Sequence, residues 1–385
     1  MQYIYICGAV SEEMNNALGR SVAGNKFSLN MAKALDKRCN GNLTIISTAA
    51  VPQSAIDKWN GEIWPGKKMH LAKRGTRFLL AELKLRRSIL QLLRNIQKTH
   101  PNEKIAVFIE NSPFAAATAC EKFSKRTGAA CYSITIDTPF AGEFKGTGLA
   151  GHINSWMFLR GRKALRSFNG LISFTEHVKQ ELQVDIPFCS FAIGCNEDAI
   201  PEGLPIVTSE KTAVYAGTLI YYNGTQELLQ AFAMLGPEYQ LHIYGYGPLE
   251  QAVQQAAKEY ENIHFHGRFA PEETTQILGN YALLINPRRI DPDIENFTFP
   301  SKLVDYILTG KSVLSSDFKT LPPAYREFVY ILEDLQPETI ATGVRNVFGD
   351  SLETRQTRGK AGIDYVKNNQ TYEIIVEQLI RFVEG

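Results

Sequence analysis

With 385 residues, 44% of them hydrophobic, the chain is long enough for about two domains with sizeable cores. Its net charge of +1 divides unevenly, because residues 1–200 carry 26 Lys and Arg against 16 Asp and Glu, whereas residues 201–385 carry 15 against 24. The chain lacks the roughly 18 consecutive apolar residues of a membrane-spanning helix, and its start lacks the pattern of a signal peptide. Six scattered cysteines without a Cys-x-x-Cys motif argue against disulfides and zinc, so we expect a cytoplasmic protein with reduced thiols.

Short apolar runs alternate with helical patterns along the whole chain. In the first half they predict strands over Tyr3–Gly8, Leu43–Thr48, Lys104–Glu110, Ala130–Asp137, Gly170–Phe174 and Pro187–Ile193. In the second half they predict strands over Ala213–Gly217, Gln240–Tyr244, Ile263–His266, Ala282–Asn286, Ser312–Ser316 and Val329–Leu332. This alternation indicates two doubly wound α/β domains with parallel sheets. Pro201, Gly203 and Pro205 place the boundary between 203 and 204, which gives domains over 1–203 and 204–369.

The basic excess of the first half is densest between Lys67 and Lys98, where ten Lys and Arg residues accompany one acid, Glu82. From Phe78 onward this segment also has an apolar stripe at helical spacing. Two interpretations stay open, namely a helix that lies on an anionic membrane and a solvated helix packed on its sheet by the leucine face. Nucleic acid is not an expected partner, since the segment has no interleaved aromatic residues and no binding motif.

Glycines follow several predicted strands of the second half. They occur at Gly217, in the run Tyr244-Gly245-Tyr246-Gly247, and at Gly267, which precedes Arg268, while Arg288 and Arg289 follow a fourth strand. The carboxyl ends of parallel strands meet at one edge of a sheet, where such folds bind ligands. Each glycine permits either close backbone approach to a ligand or a tight turn. Their recurrence at successive strand ends favours a ligand site in the second domain.

A helix that begins at Pro300 and stops before Gly310 follows an acidic, aromatic loop. Proline suits the first turn, and the backbone N–H groups of Ser301, Lys302 and Leu303 would point toward an anion, with the Lys302 ammonium beside them. The segment therefore predicts a phosphate site. The alternative is an ordinary crossover whose loop happens to be acidic.

Over roughly 205–320 the chain resembles the nucleotide-sugar domain of the group 1 (family 4) glycosyltransferases, which have the GT-B fold. The residues that carry the resemblance are Tyr215-Ala-Gly217-Thr-Leu, Asn223-Gly224, Tyr244-Gly-Tyr-Gly247-Pro, Asn262-Ile-His-Phe-His-Gly267, Asn286-Pro-Arg, Glu295, Phe299-Pro-Ser-Lys302 and Asp305. In the first half, Gly24-Asn25-Lys26 leading into Met31–Lys37 resembles the family's first glycine loop and helix, which implies an acceptor site there. The resemblance also implies two Rossmann-like domains facing a cleft, with residues 370–385 as a helix crossing back onto the first.

The resemblance implies sugar transfer from a nucleotide diphosphate donor, with UDP as the default. It assigns Glu295 to the donor-sugar hydroxyls and Asp305 to the ribose. Thr218 and Asn223 stand where the family has a diphosphate-binding Arg and Lys, so the positive charge must come from the available replacements. These replacements are Lys302, Arg288 and Arg289 together with the helix start at Ser301.

We expect neither a metal nor another cofactor, and take Asp291-Pro-Asp293 as a chance match to a metal-binding pattern. The candidates for a catalytic base are Asp137 and Glu110, each at the end of a predicted first-domain strand, with His152 and His177 as further options. For each, a helix cap or turn residue is the alternative.

Three functions stay open at this point. The first is a glycosyltransferase that builds a polysaccharide or glycoconjugate on a glycan or polyprenyl-diphosphate-linked acceptor, with peripheral membrane contact through residues 67–98. The second is a sugar-nucleotide 2-epimerase of related fold, and the third is a non-catalytic, transferase-like binding protein, which Thr218 and Asn223 would suit.

Overall fold

The computed structural model describes residues 1–19, 22–75, 78–136, 148–203, 208–269, 273–290, 299–300 and 302–385. The chain forms two compact units, Met1–Ala192 with Tyr372–Gly385, and Ile193–Thr371. The division comes before the expected boundary at 203/204, because Cys195 already belongs to the second unit. It forms a parallel bridge with Thr371, and its N–H donates to the Gln370 carbonyl at 2.9 Å.

The main sheet of the first unit has seven strands, all parallel. The strands of this unit are β1 (Gln2–Cys7), β2 (Thr44–Ser47), β3 (Glu62–Trp64), β4 (Lys67–Lys68), β5 (His70–Leu71), β6 (Ile105–Glu110), β7 (Ala130–Thr135), β8 (Gly170–Ser173) and β9 (Phe188–Ser190). The order is β5-β2-β1-β6-β7-β8-β9, and β3 and β4 form a separate antiparallel pair. The six strands predicted for this half are all present, and β3, β4 and β5 are additional.

Helices cover this sheet. They are α1 (Glu12–Ala17), α2 (Val22–Arg38), α3 (Gln53–Ile56), α4 (Phe78–Thr99), α5 (Phe114–Thr127), α6 (Gly148–Leu165) and α7 (His177–Leu182). The apolar stripe of α4 is buried along its later turns, where Ile89, Leu90 and Leu93 are at most 6% exposed. Leu79 and Leu83 near its start are half-buried. The packed-helix interpretation therefore describes the later part of this helix.

The second unit has one six-stranded sheet, again all parallel. Its strands are β10 (Thr212–Ala216), β11 (Gln240–Tyr244), β12 (Ile263–Gly267), β13 (Leu283–Asn286), β14 (Ser312–Ser316) and β15 (Tyr330–Leu332), in the order β12-β11-β10-β13-β14-β15. The central strands are buried because both faces are covered by helices, which explains why they read as continuous apolar runs. All six predicted strands of this half are confirmed.

The helices of the second unit are α8 (Thr225–Ala233), α9 (Glu250–Glu259), α10 (Thr274–Leu278), α11 (Lys302–Leu308), α12 (Pro337–Gly349) and α13 (Leu352–Asn369). The chain then returns to the first unit as α14 (Tyr372–Glu384), which packs on α2. Among the described residues no helix is long and apolar enough to cross a membrane.

Candidate functional site

The Lys302 side chain lies at the carboxyl end of β10, one of the two central strands of the second unit's sheet. Lys302 is the first residue of α11, and its ammonium donates to the Ala216 carbonyl at 3.1 Å and lies 5.7 Å from the Tyr215 ring centre. A Cβ atom at Gly217 would overlap this ammonium. The glycine after β10 therefore makes room for a positive charge at the strand end.

Burial shifts the charge on Lys302 toward neutrality. The pKa of Lys302 is lowered to about 8, mainly by desolvation and to a smaller extent by the nearby Arg288 charge, while Asp305 acts in the opposite direction. At pH 7 the ammonium is still mostly protonated. An anion bound beside it would relieve the burial of the charge, which is the arrangement expected of a phosphate site.

The backbone start of α11 differs from the expectation. The helix runs over Lys302–Leu308 rather than from Pro300, and the Leu303 N–H donates to the Pro300 carbonyl at 2.9 Å. The expectation that this N–H points toward an anion is therefore wrong, because a tight turn at the helix start consumes it. Gly310 does end the segment, with a φ of 64° that favours glycine. Within the described residues, the Lys302 side chain is the part of the predicted phosphate site that remains placed to bind an anion.

Tyr306 fixes α11 against β10. Its hydroxyl lies 3.1 Å from the Ala216 carbonyl and 3.2 Å from the Ala216 N–H, so it bonds with both backbone groups of one residue. Tyr306 is buried, whereas Asp305, the preceding residue, is exposed. The helix thus holds Lys302 in place by its inner face and leaves Asp305 accessible to a ribose or another diol.

Thr218 and Asn223 close the loop after β10. The Thr218 carbonyl accepts from the Tyr215 hydroxyl at 2.9 Å and from the Asn223 side-chain amide at 2.8 Å. These neutral groups occupy the positions where the family that the sequence resembles carries two cations. The loop next to Lys302 therefore brings no charge of its own at these two positions.

Gly245 and Gly247 approach the backbone of the loop after β10. A Cβ atom at Gly245 would overlap the Gly217 carbonyl, and one at Gly247 would lie 2.5 Å from the Leu219 carbonyl. Both glycines have φ near +150°, and the Gly245 N–H donates to the Gly267 carbonyl at 2.7 Å. Close contact with the backbone of the neighbouring loop, which was not one of the two interpretations given from the sequence, therefore requires glycine at both positions. Gly267 has a φ of 73° and open space beside it, which fits a turn.

Tyr244 and Arg268 each have an aromatic neighbour. The Tyr244 hydroxyl lies 2.8 Å from the Tyr281 hydroxyl, and its ring stacks on His266 with 4.6 Å between ring centres. The Arg268 guanidinium covers the Tyr246 ring at 3.7 Å. These flat, partly exposed groups lie at the exits of β11 and β12 and offer stacking surfaces to a planar ligand.

Arg288 and Arg289 follow β13 but have different surroundings. The Arg288 guanidinium lies 4.8 Å from the Tyr222 ring centre, and its Nε is buried without a hydrogen-bond partner among the described residues. Arg289 is ion-paired with Glu227, and its Nε donates to the Tyr221 carbonyl at 3.3 Å. Arg288 therefore joins Lys302 as a source of positive charge, while Glu227 neutralises Arg289.

In the first unit, Glu110 ends β6 and is held by two hydroxyl groups. The Tyr5 hydroxyl donates to its carboxylate at 2.6 Å, and the Ser28 hydroxyl lies 2.7 Å and 2.8 Å from its two oxygens. Burial and the Glu110 charge raise the pKa of Tyr5 well above its usual range. The Tyr5 hydroxyl therefore keeps its proton and donates it to the hydrogen bond with Glu110. The arrangement orients a part-buried carboxylate at the carboxyl edge of the first sheet.

The predicted acceptor loop Gly24-Asn25-Lys26 lies inside α2, so the expected loop is wrong. The buried Asn25 side chain accepts from the Val10 N–H at 3.0 Å and donates to the Val10 carbonyl at 3.2 Å, which fixes the chain after β1. Gly24 and Lys26 are exposed on the same helix. Gly24 tolerates this position because it lies near the helix start, where the loss in helix propensity is smallest.

Three predicted site residues, Asp137, Glu295 and Ser301, lie outside the described residues. Asp291 and Asp293, the chance match to a metal-binding pattern, lie outside them as well. His152 and His177 are described, and both are exposed on helices of the first unit. Within the described ranges, no group of three or more His, Cys, Asp or Glu residues is arranged to hold a metal ion.

Three residues with defined roles at these sites are absent from the sequence-based list. Tyr306 positions α11, Glu227 neutralises Arg289, and Ser28 holds Glu110. Tyr306 lies one residue after a predicted ligand-binding acid, and that spacing is a usable signal. The other two act on partners 62 and 82 positions away in sequence, where no local pattern points to them.

Comparison with known proteins gives a family match for the second unit. Residues 196–365 match the family described as "Glycosyl transferases group 1". No curated protein sequence matches the chain. The family match confirms the resemblance that was drawn from residues 205–320.

Solved structures resemble the whole chain at low sequence identity. Anabaena Alr3699/HepE in complex with UDP has a TM-score of 0.70 at 11% identity, with 100% of both chains covered. The N-terminal domain of Candida albicans trehalose-6-phosphate phosphatase has a TM-score of 0.71 at 10% identity, with 100% of this chain and 96% of that chain covered. WaaG, a glycosyltransferase involved in lipopolysaccharide biosynthesis, has a TM-score of 0.60 at 13% identity, with both chains fully covered. The predicted fold class, GT-B, is thereby confirmed.

Proposed function

Because residues 196–365 match the group 1 glycosyltransferases, we propose that this protein transfers a sugar from a nucleotide diphosphate donor to an acceptor hydroxyl. The observation that carries the proposal is the Lys302 ammonium, held beside Gly217 at the carboxyl edge of the second sheet. This edge is where doubly wound sheets bind ligands. UDP is the nucleotide we expect first, and HepE, a structure with the same fold, was solved in complex with UDP.

The residues of this edge have distinct parts in the proposed reaction. Negative charge builds on the departing diphosphate, and Lys302 and Arg288 would stabilise it by charge-assisted hydrogen bonds. Asp305 would accept from the ribose hydroxyls, and the aromatic groups at Tyr244 and Tyr246 would stack on the base. Two side-chain cations supply the charge that a metal supplies in other transferases, so we propose a metal-independent reaction.

The first unit would hold the acceptor. Glu110 is the described carboxylate at its sheet edge, and we propose it as the group that takes the proton of the acceptor hydroxyl. Asp137 remains a second candidate for this role, and Glu295 remains the candidate for contact with the donor sugar. A glycan or polyprenyl-diphosphate-linked acceptor would place the protein in polysaccharide or glycoconjugate biosynthesis in the cytoplasm.

Contact with an anionic membrane through residues 67–98 would be electrostatic. Most of the apolar side of α4 is buried, so this segment offers mainly its cations. Such a contact would weaken steeply with salt, because exposed charges are screened within about 10 Å at 0.1 M ionic strength.

The first test is a thermal-shift screen against UDP, GDP, dTDP, ADP and CMP, followed by sugar-transfer assays with conjugates of the nucleotide that responds. A ligand that binds only the folded state raises its apparent stability, so one nucleotide diphosphate should raise the unfolding temperature. Release of that nucleotide from its sugar conjugate in the presence of an acceptor would support the proposal. Binding without turnover would instead favour a transferase-like binding protein, and conversion of the donor sugar without transfer would favour an epimerase. A screen without any response would contradict the nucleotide site.

A further inference from the structure

A cavity of about 450 Å³ lies in the first unit, between α1, α2 and the hairpin formed by β3 and β4. Its walls are formed by the start of α1 with the preceding Ser11, by Leu29 and Lys33 of α2, and by residues of the segment 58–65. Its volume is within the range of roughly 300–1,000 Å³ that small-molecule sites occupy. None of the residues assigned above to the donor, to the acceptor or to proton transfer lines it, so the cavity has no part in those assignments.

Helix α2 separates this cavity from Glu110. The Ser28 hydroxyl of α2 lies 2.7 Å from a Glu110 carboxylate oxygen, which fixes the side of the helix that faces the sheet edge. At about 100° per residue, Leu29 and Lys33 lie roughly 100° and 140° further round the helix. The cavity therefore opens on another side of α2 and is a site of its own.

The β3–β4 hairpin, which forms one wall of the cavity, is fastened to α2. The Lys67 ammonium on β4 pairs with Asp36 of α2 at 2.6 Å and donates to the Gly41 carbonyl at 2.9 Å. Lys67 stands opposite Trp64 in the hairpin, and Ile63, the residue before Trp64, is 3% exposed. These contacts hold Trp64 in the wall, so the cavity is formed before a ligand arrives.

Two of the three tryptophans of the chain, Trp59 and Trp64, line this cavity, and both are half-buried. The Trp59 indole N–H donates to the Glu62 carbonyl at 2.6 Å, and the Glu62 N–H donates to the Asn60 side-chain oxygen at 2.9 Å. The Trp59 ring is therefore oriented by its own loop. A ligand that stacks on it loses little free energy to ordering the ring.

The charged groups around the cavity have both signs. Carboxylates come from Glu12, Glu13 and Glu62, and ammonium groups come from Lys33 and Lys58. A phosphate would meet three carboxylates, and a wholly apolar ligand would remove water from charged groups without replacing its hydrogen bonds. Hydroxyl groups suit both signs, because they donate to carboxylates and accept from ammonium groups. The charge pattern thus favours a neutral ligand with many hydroxyls.

We propose that this cavity is a carbohydrate-binding site. A sugar ring has hydroxyls at its edge and C–H groups on its faces, so it can stack on Trp59 and Trp64 while its hydroxyls bind the surrounding carboxylates and ammonium groups. Carbohydrate binding here goes beyond the proposed sugar transfer. The use of the cavity to hold a distant part of a glycan acceptor, away from the reacting hydroxyl, rests on that proposed function.

Tryptophan fluorescence of the full chain tests the proposal directly. In the variant Trp156→Phe, the tryptophans that remain are the two in the cavity, so the emission reports on this site. The probes are the neutral tetrasaccharides maltotetraose, cellotetraose, chitotetraose and mannotetraose. We expect at least one of them to shift the emission to shorter wavelength and to saturate at concentrations up to about 10 mM, since stacking removes water from the rings. Sodium phosphate at the same concentrations should leave the emission unchanged.

Variants measured by calorimetry with the responding tetrasaccharide separate the two parts of the site. Trp64→Ala should weaken binding by at least about tenfold, because a stacking surface is lost. Trp156→Ala is the matched control, since this tryptophan of α6 is 51% exposed and does not line the cavity, and it should bind like the wild type. Glu12→Gln with Glu13→Gln changes exposed side chains and so should keep the fold, and it should weaken binding by about threefold or more.

Three outcomes would overturn the carbohydrate site. One is an emission that none of the tetrasaccharides changes. Another is wild-type affinity in both Trp64→Ala and the double glutamine variant. The third is a response to phosphate without a response to any saccharide, which would assign the cavity to an anion. Saccharide binding is measured without nucleotide, so a wild type that binds a saccharide but responds to no nucleotide would contradict the proposed function and leave the carbohydrate site standing.

Discussion

The carboxyl edges of the two sheets carry charges opposite to those of the chain halves that contain them. The first half has an excess of Lys and Arg, yet the edge of its sheet presents the carboxylate of Glu110. The second half has an excess of Asp and Glu, yet its sheet edge presents Lys302 and Arg288. The chemistry of each edge is therefore set by a few positioned side chains and cannot be inferred from net charge.

Neutral groups hold both charges in place. Hydroxyls of Tyr5 and Ser28 donate to Glu110, and the Ala216 carbonyl accepts from Lys302. Such partners orient a charge without neutralising it. Arg289, one residue after Arg288, shows the contrast, since Glu227 cancels its charge.

The largest expected effect on activity is at Glu110, the carboxylate at the edge of the first sheet. Glu110→Gln keeps the size of the side chain but removes its charge, so we expect kcat for sugar transfer to fall by about 100-fold, as when a general base is lost. The dissociation constant of the nucleotide should not change. Steady-state kinetics together with calorimetry measures both, and Ser28→Ala should show a smaller fall. An unchanged kcat would mean that Glu110 has only a structural role, as the hydrogen-bond acceptor of Tyr5 and Ser28.

The second-largest effect is expected at Gly217, beside the Lys302 ammonium at the carboxyl edge of the second sheet. Gly217→Ala places a methyl group where the Lys302 ammonium lies, so the ammonium must move, and we expect nucleotide diphosphate binding to weaken by about tenfold. Gly203→Ala is the control, because nothing lies within 4 Å of the added carbon. Equal affinities for the two variants in titration calorimetry would argue against Lys302 as the phosphate ligand.

The pH dependence of nucleotide binding tests the role of the Lys302 ammonium at the same sheet edge. The pKa of Lys302 in the folded protein is about 8, below its usual value, so the ammonium is present at pH 7 and is lost as the pH rises through 8. We expect affinity for a nucleotide diphosphate to fall by up to about tenfold between pH 7 and pH 9. Lys302→Ala should abolish this slope. A wild-type affinity that is constant over this range would contradict the role of the ammonium.

The smallest expected effect on nucleotide affinity is at Arg289, whose charge is neutralised by Glu227. Arg289→Gln should change nucleotide affinity by less than about twofold, because the Glu227 carboxylate already cancels the arginine charge and the ion pair is only part-buried. Titration calorimetry under the conditions used for Gly217→Ala makes the values comparable. A loss of tenfold or more would place Arg289 in the phosphate site and remove the contrast with Arg288.

The sequence was most informative where burial leaves a continuous pattern. Strands such as β1 and β6 are buried on both faces and read as apolar runs, whereas β4 and β5 have two residues each and leave no pattern. Gly24 suggested a loop, but it lies within α2, because one glycine near a helix start does not end the helix. The sequence thus predicts the order of the elements better than their ends.

Within the candidate site, the residue types were predictable and their partners were not. Lys302 stands out by its place after Pro300, but its contact with Ala216 joins residues 86 positions apart. Gly245 and Gly247 were recognised as special, yet only the path of the neighbouring loop shows that backbone carbonyls fill the space beside them. Long-range packing of this kind leaves no local signal.

The most direct test of the central claim is the affinity of the responding nucleotide diphosphate for the wild type and for Lys302→Ala at pH 7, measured by calorimetry. Loss of a charge-assisted hydrogen bond costs about 1.5–3 kcal/mol, so we expect the dissociation constant to rise by about 10- to 100-fold. An unchanged dissociation constant would contradict the claim that Lys302 binds the diphosphate.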